Sequence, residues 1–391
     1  TVGMSGWNHI DAVAISDSDV PVKADINLIK DMKFESQAEN LGAAINTQYD
    51  EIMPIISPDG KALYFDRKDH PENTSGILND DIWYSTMGGS GKWTTAENVG
   101  VPLNNRGHNF LTAISPDGNT ALLGNVYELD GSMTSGLSMA RRNKEGWEFP
   151  QKLIIQNYYN NNKFSEFHLG ADGKTIIMTV QRLDSYGAKD LYVSFANPDG
   201  TWSEPRNLGP NVNSAATEMS PFLAADGKTL YFSSDGFSGY GNKDMFMSRR
   251  LDGTWTKWSQ PQNLGPMLNS ANWDAYYSVP ASGEFAYFSS ENNSMGKTDI
   301  YRIKLPGAMR PEPVVLIRGR VLDEKTKEPI QARIIYELLS DGKEIGVANS
   351  NPKTGEYTII LPAGAKYGFL AQATGYMSEN QNIDLTEVKE Y

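Results

Sequence analysis

The chain of 391 residues contains no cysteine and only four histidines. Without thiols, disulfide staples, thiolate nucleophiles and cysteine metal centres are all excluded. His9, His70, His108 and His168 are scattered, with no HxxxH spacing, so no histidine-rich metal site is expected. No apolar run approaches the roughly 18 residues that a membrane-crossing helix needs. Basic residues are in deficit, 35 Lys and Arg against 48 Asp and Glu, and the net charge of −13 repels phosphate backbones. Nucleic-acid binding is therefore not expected. What the chain does have is 36 glycines, 20 prolines and 10% aromatic residues, too apolar and aromatic a mixture for disorder. Its length allows two or three domains. It opens on Thr1, so a mature form or a fragment is expected.

One phrase recurs along the chain. Ile56-Ser57-Pro58-Asp59-Gly60-Lys61-Ala62-Leu63-Tyr64-Phe65 returns around Asp117-Gly118, Asp172-Gly173 and Asp226-Gly227, and in a worn copy around Ser282-Gly283. The turn glycines fall at 60, 118, 173, 227 and 283, a period of 54 to 58 residues. Asp-Gly between apolar runs is a hairpin signal, because glycine accepts positive φ and Asp tolerates the tight turn. A third strand follows each hairpin, opening at Asp81, Gly136, Asp190, Asp244 and Asp299. Then comes a tryptophan strand, with Trp93, Trp147, Trp202 and Trp255. Four short strands per repeat make the blade of a β-propeller.

The fifth repeat ends after Ile303 without a fourth strand, whereas Phe34 to Gly42 matches the fourth-strand wording Trp202 to Gly209. The expected architecture is an all-β, five-bladed propeller over residues 31–306, closed by this N-terminal strand. A lead-in (1–30), with a short strand at Asp25–Ile29, precedes the ring. A proline-containing linker (307–313) follows it. Residues 314–391 alternate in hydropathy between turn signals at Asp341-Gly342, Thr354-Gly355 and Gly364, which predicts a small β-sandwich.

The Ser-Pro-Asp-Gly-Lys-x-Leu-Tyr-Phe wording, followed by Asp81-Ile82-Trp83-Tyr84, resembles the WD-like repeat of TolB-type propellers. Gly319-Arg320-Val321-Leu322-Asp323, Thr354-Gly355-Glu356-Tyr357 and Ala373-Thr374-Gly375-Tyr376 look like a carboxypeptidase regulatory-like domain. That order is similar to PorE-like proteins of type IX secretion and related OmpA-family envelope proteins of Bacteroidetes. The resemblance implies a periplasmic, outer-membrane-associated scaffold and says nothing of a reaction; a non-catalytic role without a cofactor is expected. The scaffold would present its surface to envelope proteins or to peptidoglycan and other glycans.

Chemistry is sought first at the residues nine before each turn glycine, which open the innermost strands: Glu51, Asn109, Phe164, Glu218 and Asp274. Glu51, Asn109, Glu218 and Asp274 would ring the channel mouth and bind a cation, a sugar or an amine-bearing peptide. They could equally do no more than solvate the rim. The Asp81, Asp190, Asp244 and Asp299 series is expected to be structural, each carboxylate accepting local backbone N–H bonds. Aromatics outside the repeat period, namely Tyr158, Tyr159, Trp258, Trp273, Tyr276 and Tyr277, are interface candidates. Long insertions at Arg67–Asp80, Asn125–Ser135 and Ser234–Lys243 are the loops on which binding residues gather.

Enzyme signatures are few. Gly236-Phe237-Ser238-Gly239-Tyr240 lacks the last glycine of a nucleophile elbow. Gly88-Gly89-Ser90-Gly91-Lys92-Trp93 lies between two strands and is no phosphate loop. A calcium loop is absent. Two readings remain: a non-catalytic binding module, and a carbohydrate-active propeller enzyme using Glu51, Glu218 or Asp274 as acid and base.

Overall fold

The computed structural model describes residues 25–388 except 75, 77 and 78, so most of the lead-in, His9 among it, lies outside the described residues. The fold is an all-β propeller of small antiparallel sheets, and the only helix among the described residues is the 3-10 turn Gly307–Met309. Among the described residues no helix is long and apolar enough to cross a membrane.

Four sheets repeat one plan, taking their strands in chain order. The first is Asp50–Ile56, Ala62–Lys68, Asp80–Thr86 and Glu97–Asn98. The second begins at Leu111–Ile114, the third at Glu166–Leu169 and the fourth at Glu218–Leu223. A fifth joins Phe285–Ser290 and Asp299–Lys304 to Glu39–Asn40 from the N-terminal segment, with Glu39 opposite Arg302 and Asn40 opposite Tyr301. Residues of the lead-in run along the fourth sheet's edge: Leu28 bridges Asn263 in parallel, and the Asn263 N–H donates to the Asn27 carbonyl at 2.8 Å.

The second strand of each sheet is apolar on both faces because both are covered. Leu63 and Phe65 pack with Tyr287 and Ile300 of the fifth sheet, while Tyr64 packs with Leu111 and Leu123 of the second. The series continues: Leu122 with Ile176, Ile177 with Leu230, and Tyr231 with Ala286. Each sheet is thus held between two neighbours by an apolar layer.

A second repeated device ties the outer strand to the third strand in four of the five sheets. Asn207 Nδ2 donates to Asp190 Oδ2 at 2.8 Å, and Asn207 Oδ1 accepts from Gly209 N and Asn213 Nδ2. Asn213 then clasps Leu191, accepting its N–H at 2.7 Å and donating to its carbonyl at 3.0 Å. The same set recurs with Asn98, Asn104 and Asp81, with Asn263, Asn269 and Asp244, and across the chain with Asn40, Asn46 and Asp299. The third-strand aspartates also cap local turns, as Asp190 does for the Tyr186 and Gly187 N–H groups, so the series is structural.

The tryptophan strand differs from expectation in the fourth sheet. Met87 bridges Trp93, Arg142 bridges Trp147 and Ala196 bridges Trp202, but Arg250 bridges Trp258 rather than Trp255. The turn between the bridged residues is two residues longer than in the first and third sheets and three longer than in the second, which shifts the register. Trp258 is consequently core, 2% exposed, with its indole N–H on the Trp255 carbonyl.

Beyond Pro313, Val314–Arg320 pairs with Glu356–Pro362, and a second sheet takes the order Lys343–Asn349, Arg333–Leu338, Lys366–Gln372, Glu379–Asp384. Ile334, Tyr336, Ile359, Leu361 and Tyr367 form their common core. These sheets sit on the Asp-Gly turns of the propeller. Asp117 Oδ2 accepts the Asn349 N–H, the Asp172 carbonyl accepts that of Val347, Asp226 Oδ2 accepts that of Glu312, and Arg318 reaches Asp59. Val314, Leu316 and Ile360 pack on Ala171, Ala225 and Ala281, closing that end of the channel.

Candidate functional site

The four residues expected at the channel mouth are turned into the wall. Glu51, Asn109 and Glu218 are fully buried and Asp274 nearly so, and each accepts the backbone N–H of the residue four before it. The donors are Thr47, Asn105, Ser214 and Ser270. Glu51 also pairs with Arg67 at 2.8 Å, and Glu218 Oε1 accepts from the Ser214 and Ser234 hydroxyls at 2.6 and 2.8 Å. Bulges cause the turn. Pairing shifts between Ile52 and Ile55 and between Met219 and Phe222, while Met53, Ser220 and Tyr276 adopt φ of 55°, 49° and 61°. Such bulges re-aim side chains, so the position seven before the glycine, rather than nine, faces the channel in these repeats.

Burial pushes the Glu218 carboxyl up to about 7 and that of Asp274 up to about 6, with the serine hydrogen bonds pulling the other way. A carboxyl with a raised folded-state value stabilises most below its unfolded value, and that stability is lost as pH rises through the folded value. Between pH 4.5 and about 7 the unfolded chain releases the Glu218 proton first. Urea unfolding of Glu218→Gln should therefore lose up to about 3 kcal/mol less stability than the parent as pH rises through this window. An identical pH profile for the two proteins would show that Glu218 is ionised within the fold.

The space offered to a ligand is a cavity of about 810 Å³ on the face away from the C-terminal sheets. Its wall combines Phe110, Phe164, Trp273 and Tyr276 with Glu166, Lys189, Asp235, Lys243 and His108. Trp273 is 58% exposed and Phe164 62%. Two of the long insertions line it, through Asn125 and Met133 to Ser135 and through Asp235 and Lys243. The third supplies Asp80, whose carboxylate meets His108 Nδ1 at 2.9 Å. Below, the space narrows between Met53, Thr112, Glu166, Ser220 and Tyr276 and then meets His168 and Phe222, whose rings lie 4.7 Å apart. Burial holds His168 at about 4, hence neutral, with Nε2 3.1 Å from the Leu223 carbonyl.

Glu166 opens the inner strand of the third sheet and stands seven before its turn glycine. Its Oε2 accepts the Ser220 N–H, which the neighbouring bulge turns toward it, and its Oε1 lies 3.6 Å from Lys189 Nζ. Asp235 is fixed by the Thr217 N–H at 2.8 Å and by Lys243 Nζ at 2.5 Å. Two oriented carboxylates therefore border one aromatic-walled space. Among the described residues no three histidine, aspartate or glutamate side chains converge as a metal site requires.

Of the interface candidates, Trp273 and Tyr276 line this cavity. Trp258 and Tyr277 belong to the core, where Tyr277 packs 4.8 Å from the Tyr231 ring. Tyr158 packs beside Phe167, and Tyr159 lies under the Arg182 guanidinium and accepts the Leu183 N–H, so both brace a loop. The sequence reading missed Glu166, Lys189, Asp235 and Lys243. A signal was present for Glu166, the one acidic residue found seven before any of the five turn glycines.

No protein-family model matches the chain, and no curated protein does. Among solved structures, the chain is similar to a sucrose-6-phosphate hydrolase from Lactobacillus gasseri, at 12% identity and a TM-score of 0.49, over 90% of this chain and 82% of that one. A xylan β-1,4-xylosidase from Bacillus halodurans matches at 11% identity and TM-score 0.41, over 88% and 92%. A GH43_1 enzyme from Xanthomonas citri matches at 11% and 0.43, over 69% and 90%. These neighbours are named as glycoside hydrolases, and the comparisons give no support to a TolB-type, PorE-like or OmpA-family relationship or to a carboxypeptidase regulatory-like domain. The expectation of a non-catalytic, type IX secretion-like scaffold with envelope protein partners is corrected accordingly. The physical reason is that Ser-Pro-Asp-Gly wording reports the chemistry of a tight hairpin and does not discriminate among propellers.

Proposed function

We propose that the chain is a carbohydrate-active propeller that binds a glycan in the 810 Å³ cavity and cleaves it with Glu166 and Asp235. In this reading the five sheets over residues 31–306 are five blades, sealed by the pairing of Glu39–Asn40 with Asp299–Lys304. Residues 314–391 are a β-sandwich that plugs the far end. The observation that carries the reading is the joining, in one concave site, of exposed aromatic faces with two oriented carboxylates. Flat aromatic rings cover the apolar faces of sugars. Two carboxylates flanking a glycosidic bond are what its hydrolysis requires, one moving the proton and the other stabilising the oxocarbenium-like centre or activating water. The closed floor makes this an end-on pocket that a chain terminus or side branch enters.

The test is turnover of a panel of plant and bacterial oligosaccharides by the parent chain and by Glu166→Gln and Asp235→Asn. Activity in the parent and its loss in both variants is expected. An inert parent toward every glycan, with no glycan bound, overturns the reading. Trp273→Ala should weaken glycan affinity about tenfold, by titration calorimetry, without moving the thermal midpoint. Unchanged affinity would place the sugar away from that ring.

A further inference from the structure

The cavity runs against the charge of the molecule that contains it. The chain carries −13, yet the cavity wall presents Lys163, Lys189 and Lys243 against Glu166 and Asp235, one positive charge in excess. Lys243 is paired with Asp235 at 2.5 Å and Lys189 with Glu166 at 3.6 Å, which leaves Lys163 as the cation of the wall without a carboxylate. Lys163 is exposed, has no acidic partner among the described residues, and lies with Nζ 5.0 Å from the Phe164 ring centroid. Lys189 is 5% exposed, and the nearest carboxylate oxygen to its ammonium, on Glu166, is 3.6 Å away, beyond hydrogen-bond range. The ion pair with Glu166 leaves the N–H groups of that ammonium without an acceptor in hydrogen-bond range, and an anionic ligand in the cavity would supply one. Asp80 is engaged by His108 and does not line the cavity. An acidic shell around a cationic pocket focuses field lines there and draws in anions.

We infer that the glycan taken by this cavity is anionic, a sugar bearing a carboxylate, sulfate or phosphate group that docks between Lys163 and Lys189. The inference rests on the glycan reading and adds the substrate's charge to it. Sugar and charge are read by different groups: Trp273 and Phe164 face the ring, and the two lysines face the substituent.

Titration calorimetry on the full chain separates the possibilities with three matched pairs. These are a galacturonate oligosaccharide and its carboxyl-reduced form, a sulfated chondroitin oligosaccharide and its desulfated form, and a sugar phosphate and its free sugar. At about 50 mM salt the charged member of at least one pair should bind at least tenfold tighter, and the advantage should shrink at about 300 mM. Which pair shows it identifies the anion. Lys163→Ala should remove most of that preference and Lys163→Arg should keep it, which separates charge from shape. Equal affinity within every pair, or preference for the neutral members, overturns the inference and leaves the glycan reading standing. Binding of no member at either salt overturns the inference, and overturns the glycan reading as well only if the whole oligosaccharide panel is neither bound nor turned over.

Discussion

Glu166→Gln is expected to lower glycan turnover at least about 100-fold while the folded protein persists, because a positioned carboxylate contributes that much to proton transfer or charge stabilisation. Glutamine has the same shape and still offers a carbonyl oxygen to the Ser220 N–H, so the bulge that faces it is kept. What disappears is the negative charge beside Lys189 and the capacity to exchange a proton. Loss in kcat with KM little changed would show that the group acts in the transition state rather than in holding substrate. Glu218→Gln is the control. Glu218 stands two residues before a channel-facing position but is sealed among Ser214, Ser234 and the wall, so its substitution should shift stability with pH and leave turnover alone. Full turnover by Glu166→Gln, or its loss on Glu218→Gln, would move the chemistry out of this cavity.

Asn213→Ala should cost about 3 kcal/mol in unfolding free energy, because the buried Leu191 N–H loses its acceptor and the removed amide leaves a void. Asn46 makes the same clasp on Ile300, at 2.8 Å to its N–H and 2.9 Å to its carbonyl, but does so between the leading segment and the fifth sheet. Asn46→Ala should therefore cost as much as Asn213→Ala. Denaturant titration of the two variants compares a clasp within one repeat with a clasp that seals the ring. A cost at Asn46 near zero, with the full cost at Asn213, would mean that the leading segment does not close the sheet. Replacement of exposed Asn242 should stay within about 0.5 kcal/mol.

The parts of the fold written as short-range chemistry were readable without coordinates. Asp-Gly turns recur because tight hairpins need them, and the unbroken apolar second strands report cover on both faces. The Asn207–Asn213 clasp left a trace that the sequence analysis did not use: an asparagine stands six residues beyond Asn40, Asn98, Asn207 and Asn263. The candidate site was much less readable. The position nine before each glycine was placed at the channel mouth because it opens the innermost strand. The bulges at Met53, Ser220 and Tyr276 add residues that invert that assignment, and the local mark, a proline directly after Met53 and Ser220, went unread. Trp255 drew the eye in place of Trp258 because an enlarged turn shifted the copy. The cavity itself gathers Glu166, Lys189, Asp235 and Trp273 from positions with no common repeat register, so no spacing rule connects them. The seating of the C-terminal sheets on the Asp-Gly turns lies equally outside the repeat pattern, since it joins residues such as Asp117 and Asn349.

A crystal structure of the chain soaked with the glycan that binds best tests the central claim most directly. A sugar ring is expected against Trp273 or Phe164, with its glycosidic oxygen within hydrogen-bond reach of Glu166. A ligand seated in the cleft between Asp59, Lys61, Arg318 and Tyr357 instead, with the aromatic cavity vacant, would contradict it.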